Sequence, residues 1–256
     1  MWVFVNGEVI MKTSLLSVAA AAGISLVAGA ASATTISVSV FDINTFNQAV
    51  SGPSFVTEDF ESGFAVGEIT GNGGNAGATL DTVVGTFSSL GGVGSGSTCA
   101  LSTGGSNGIC DTLAIFDSSI NSQNNTVPLD GEYSLNSNDT FGIQWDVGTG
   151  DLFNRVVFGM SDATDQGATL TITADDGTTS VFEVLNPNLG DGNAQLVIID
   201  FDELIGSATI SLESSIEDDG FAIDGVSVGV VPLPAAGLLL IGGLGVLGAM
   251  RRRQKS

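Results

Sequence analysis

The chain has 256 residues, with 28 Asp and Glu, 6 Lys and Arg and no His, and a formal net charge of −22. Residues 34 to 234 hold 27 of the acids and one base, Arg155, which excludes ordinary nucleic-acid binding because phosphates need Lys and Arg against them. Without His there is no His-based triad, no His general base and no His metal ligand.

The N-terminal segment reads as an address. Met11-Lys12-Thr13 precedes an apolar, small-residue run from Leu15 to Ala31. Ala31-Ser32-Ala33 then offers an A-x-A cleavage site before the polar Thr34-Thr35. These are the three regions of a secretory signal peptide, assigned to residues 1–33. Glu8 precedes the basic residue, so Met11 is the better start.

Residues 34–230 read as an all-β domain. Runs rich in Val, Ile, Thr and Phe recur between Gly, Asp and Asn clusters. Strands are expected at Ile36–Phe41, Val56–Phe60, Thr82–Phe87, Thr112–Phe116, Phe141–Val147, Arg155–Met160, Thr169–Thr173, Ser180–Leu185, Gln195–Asp200, Ala208–Leu212 and Phe221–Val228. In Ala168–Ala174, Leu170 and Ile172 alternate with Thr, so one face is apolar and the other polar. Asp175-Asp176-Gly177 supplies turn residues before Ser180–Val184, the strongest hairpin signal in the chain. Each apolar face needs a second sheet to cover it, and about ten strands favour a jelly-roll-like antiparallel β-sandwich. Residues 62–110 are rich in Gly, Ser and Asn and read as long loops.

Cys99 and Cys110 are the only cysteines. In an exported chain an even pair implies a disulfide, here closing a loop inside the Gly-rich stretch.

Carboxylates are the only abundant chemistry. Trp145-Asp146 and Asp200-Phe201-Asp202-Glu203 are the candidate carboxylates for acid–base work of the glycoside-hydrolysis kind. One Trp (Trp145) and one Tyr (Tyr133) in the exported part give too few aromatic platforms for a sugar cleft, so no catalytic residues are assigned. Calcium suits oxygen ligands better. Glu58-Asp59-Phe60-Glu61 and Asp218-Asp219-Gly220-Phe221-Ala222-Ile223-Asp224-Gly225-Val226 resemble the opening and closing segments of galactose-binding-like and MAM-like jelly-roll modules. That resemblance implies neighbouring first and last strands and a structural calcium, with Glu61 and Asp224 as ligands. The alternative is a set of turn and edge-strand acids with no ion.

The C-terminal segment, residues 231–256, is a second address. Val231-Pro232-Leu233-Pro234-Ala235 opens a 16-residue apolar run, Ala235 to Met250, followed by Arg251-Arg252-Arg253-Gln254-Lys255. Sixteen helical residues span ~24 Å, short for a ~30 Å hydrocarbon core, and the arginines favour the cytoplasmic side. This order resembles the PEP-CTERM sorting signal in its VPLPA form, with Leu233 where the main family has Glu. The resemblance implies export by the secretion machinery, transient anchoring in the inner membrane by one short helix, and recognition by an exosortase-like membrane protease. The destination it implies is the cell surface, outer membrane or extracellular matrix of a Gram-negative cell. A plain single-pass anchor is the alternative.

Three functional classes follow: an acidic structural or biofilm-matrix protein, a calcium-dependent carbohydrate-binding module facing extracellular polysaccharide, and an extracellular enzyme. The sorting signals and the lack of a convergent site favour the first.

Overall fold

The computed structural model describes residues 34–64, 79–91, 113–117, 127, 129, 131–138, 140–163, 167–184, 192–214 and 220–232. All of them belong to the second of two units, Ser32–Ser256. Along the chain run β1 (Thr34–Val40), α1 (Ile43–Ala49), β2 (Val56–Glu58), β3 (Thr79–Thr82), β4 (Gly85–Ser89), β5 (Ala114–Phe116) and β6 (Ser134–Asn136). They are followed by β7 (Gly142–Val147), β8 (Phe153–Ser161), β9 (Ala168–Ala174), β10 (Thr179–Val184), β11 (Ala194–Ile205), β12 (Ala208–Ser214) and β13 (Ala222–Gly229).

The strands form two antiparallel sheets. One has the order β1-β11-β8-β13-β6-β5, with β2 also on β13; the other has the order β10-β9-β12-β7-β4-β3. The second sheet is half-buried, as the alternation in Ala168–Ala174 requires. Leu170, Ile172, Ile210, Leu212, Ile143 and Trp145 turn inward, while the Thr and Ser positions of β9 and β12 turn outward. The hairpin β9–β10 forms as expected. Thr179 pairs with Thr173, Gly177 takes φ +82, and Asp176 accepts the amide of Thr178 at 2.7 Å.

The first sheet is covered on both faces. Val156, Phe158, Met160, Val197 and Ile199 enter the main core between the sheets. Val157 and Leu196, on the opposite face, pack under Phe46 and Ala49 of α1. Two-sided burial explains why β8 and β11 carry nearly continuous apolar runs in place of alternation. At the centre of the main core Trp145 stacks on Phe87 with ring centroids 5.3 Å apart and donates its indole N–H to the Val84 carbonyl at 3.1 Å.

Several sequence expectations need correction. Thr82–Phe87 is not one strand; Val83 and Val84 turn between β3 and β4, where Gly85 sits at φ +124. A run of β-branched residues conceals that turn, because Val84 is itself wholly buried. The hairpin also means that residues 62–110 are not loop throughout. Helix α1 was missed because it has only seven residues; Asp42 caps it by accepting the amide of Thr45 at 2.8 Å. Strand β6 was missed because three residues are too few to display a period.

Among the described residues no helix is long and apolar enough to cross a membrane. The expected signal peptide, the cysteine pair Cys99 and Cys110, and the sorting segment from Leu233 through Pro234 and Ala235 to Arg251, Arg252 and Arg253 lie outside the described residues.

Candidate functional site

Two short strands share one edge of β13. On its other edge β13 pairs with β8. On the free edge β6 takes Ala222 and Ile223, and β2 takes Val226 to Val228. The gap between them falls at Asp224 and Gly225.

A β-bulge occupies that gap. The register of β13 against β8 shifts between Asp224 and Ser227, and Gly225 adopts φ +59. The extra residue resets the alternation: Ile223, Val226 and Val228 all reach the main core. Asp224 is left on the opposite face, toward α1, and is 1% exposed. A Cβ at residue 225 would collide with Leu129 and come within 2.9 Å of the Phe46 ring, so with its left-handed backbone the position strongly favours glycine.

The chain leaving β2 supplies the facing acids. Phe60 is buried and holds φ 58, a conformation that non-glycine residues rarely take. It is fixed because Glu58 Oε1 accepts its amide at 2.9 Å and Asp59 Oδ1 accepts the amide of Glu61 at 3.1 Å. Glu61 then reaches the entry of β6. Its Oε1 accepts the amides of Glu132 and Tyr133, both at 2.6 Å. Such charge-assisted bonds are short and strong. The carboxylate lies directly over Gly131, where any side chain would strike it.

Asp59, Glu61 and Asp224 thus line one cavity of about 220 Å³, with Ile43, Phe46 and Asn47 of α1 on its far wall. Asp224 Oδ1 accepts the amide of Gly225 at 2.6 Å. Burial pushes the Asp224 carboxyl up to about 8; the Gly225 amide opposes this, and repulsion from Glu61, Asp59 and Glu58 adds to it. Glu58 is also raised, by burial first, against the Phe60 amide.

The acids fit a hard cation in kind, their side-chain donors being oxygen, and the ligands expected from the sequence, Glu61 and Asp224, line the same cavity. They do not form a preassembled cage. Among the described residues no three acidic, Cys or His side chains converge closely enough to hold a metal. The lining from α1, Thr57, Leu129 and Gly131 was not foreseen, and only the Gly residues carried a signal for it.

The other candidate acids are dispersed. Trp145 is in the core, and Asp146 lies on the outer face of the second sheet, accepting from Thr209 at 3.0 Å. Asp200 pairs with Arg155, and Asp175 accepts the amide of Gly206 at 2.9 Å. Of the sorting motif only Val231 and Pro232 are described. Asn154, 1% exposed, donates to the Val231 carbonyl at 2.9 Å and accepts its amide at 2.8 Å.

No protein-family model and no curated protein matches the chain. Among solved structures it is similar to the enzymatically active domain of bacteriophage CBA120 tailspike protein 4, at 14% identity and a TM-score of 0.33. The match covers 64% of this chain and 21% of that one, so the chain spans about a fifth of that structure.

Proposed function

We propose that this is an exported, acidic cell-surface or matrix protein, delivered by its C-terminal sorting segment and performing no reaction of its own. The observation that supports the reading is that the folded domain reaches both address segments. Thr34, the residue after the A-x-A site, is already paired in β1, whose seven described residues all pair with β11. At the other end Val231, the first residue of the sorting motif, is hydrogen-bonded to Asn154. Deleting residues 233–256, which leaves the hydrogen bonds of Val231 in place, tests this: surface and matrix levels should collapse, and unchanged levels would overturn the reading.

A second reading concerns Glu61 and Asp224. Their carboxylates hold a structural calcium that ties β2, β6 and β13 together, with backbone carbonyls and water completing the ligand set. It is supported by a buried carboxylate that faces two further acids across one cavity, with no base among the cavity-lining residues. A ligand that binds only the folded state raises the melting temperature. Melts in calcium and in EDTA should therefore differ, and identical melts would remove both residues as ligands.

A further inference from the structure

The first residue of the sorting motif is part of the folded domain. Strand β13 ends at Gly229. Val230 then exchanges hydrogen bonds with the hydroxyl of Ser54, donating at 3.3 Å and accepting at 3.1 Å. Val231 gives both its backbone groups to the side-chain amide of Asn154. Asn154 lies within β8 and is buried, so its amide is held by the sheet rather than by a loop. Pro232, the next residue, has no amide hydrogen, and it is exposed. The change from held to exposed chain therefore occurs within the motif, between Val231 and Pro232.

Peptide-cleaving enzymes commonly bind their substrate as an added strand, through main-chain N–H and C=O groups. At Val231 both groups are already committed, and at Val230 both meet Ser54. We propose that Asn154 is a latch on the sorting motif: it withholds Val231, its carbonyl included, and all preceding residues from the processing protease, so hydrolysis falls C-terminal to Pro232. In that step water adds across one peptide bond, leaving a carboxylate on the domain and an ammonium on the excised segment. The mature domain retains Val231 as a closing element of its fold. Asn154 acts here as a positioning residue and takes no part in the bond cleavage. The inference rests on the sorting reading for its consequence; the latch itself is a property of the domain.

Hydrogen exchange on the full-length chain reads the latch directly. In the wild type the Val231 amide should be protected. Asn154→Ala should speed its exchange at least tenfold. Asn154→Asp keeps an acceptor for the amide and loses the donor to the carbonyl, so it should fall between them. The central amides of β9, in the other sheet, serve as the control for folding, and Asn154→Asp remains informative if the alanine variant does not fold. Equal exchange at Val231 in the wild type and a folded variant would overturn the latch, whatever happens in cells. Intact mass of the exported protein from a host carrying an exosortase-type protease reads the consequence. The wild-type C-terminus should lie at Pro232 or beyond, and Asn154→Ala should add species ending at or before Val231. A wild-type C-terminus upstream of Pro232 would overturn the proposed access limit. An exported chain that keeps all of residues 231–256 would instead overturn the sorting reading, leaving the latch to be judged by exchange alone.

Discussion

Arg155 and Asp200 are direct partners across β8 and β11 and meet two-pronged, Nε to Oδ1 at 2.6 Å and Nη2 to Oδ2 at 2.9 Å. Nη1 also reaches the carbonyl of Ala49, at the end of α1, at 3.4 Å. The domain's one base among 27 acids is thus spent on fastening α1 to the sheet that carries the acidic cavity.

Arg155→Ala should therefore lower stability by about 1–2 kcal/mol, more than an ordinary surface pair, because planar bidentate geometry and a third bond are lost together. The side chains are 23% and 37% exposed, so water screens the pair and keeps the loss below that of a buried one. A double-mutant cycle with Asp200→Ala, read by urea unfolding, should give a favourable coupling energy; a coupling near zero would refute the role.

Trp145 supports the second sheet in the same sense. It is wholly buried, stacks on Phe87 and meets Phe158 edge-on at 6.2 Å. Trp145→Ala should cost about 3–5 kcal/mol through the cavity it leaves. Trp145→Phe keeps most of the volume and loses one hydrogen bond, while the Val84 carbonyl still accepts the amide of Gly148 at 3.1 Å, so it should cost only about 0.5–1.5 kcal/mol. Both values come from chemical denaturation, with circular dichroism as the readout because Trp145, the tryptophan of residues 34–234, is itself replaced.

What the sequence made legible depended on period and length. Strands β9, β10 and β12 could be read because one face meets water, so Thr and Ser alternate with Leu and Ile. Strands β8 and β11 could be located but not oriented, because both of their faces are buried. The acids of the site were visible as motifs, yet their meeting rests on two things that no local pattern encodes. One is the shared edge of β13, where β2 and β6 arrive from more than 70 residues apart. The other is the Gly225 bulge, which turns Asp224 away from the main core while Val226 remains in it. Asn154 gave no sequence signal at all, since its partner is backbone.

Gly225→Ala tests the bulge. Alanine would have to hold φ near +59 and push against Leu129 and Phe46. Left-handed strain costs about 1–2 kcal/mol for a non-glycine residue, and the clash adds to it, so a loss of about 2–4 kcal/mol is expected. Equilibrium unfolding measures it. A loss under about 0.5 kcal/mol would mean that the bulge does not fix Asp224 in place.

The last prediction concerns pH. Asp224 is pushed from its ordinary 3.8 up to about 8, by burial first, against the Gly225 amide, and then by repulsion from Glu61, Asp59 and Glu58. Glu58 shifts the same way. The native state therefore keeps a proton that the unfolded chain releases above about pH 4. Between about pH 4 and 8 unfolding liberates that proton, so stability falls as pH rises, by about 1.4 kcal/mol per pH unit for each proton held. The contribution is complete below the unfolded value and gone once pH passes the native one. In EDTA the urea midpoint should decline from about pH 5 to pH 8, and Asp224→Asn should flatten that decline. Calcium should act in the opposite sense, stabilising most at the alkaline end, because a metal ligand must be deprotonated. If Asp224→Asn leaves the slope intact, the proton resides on another group and Asp224 is ionised in the native fold.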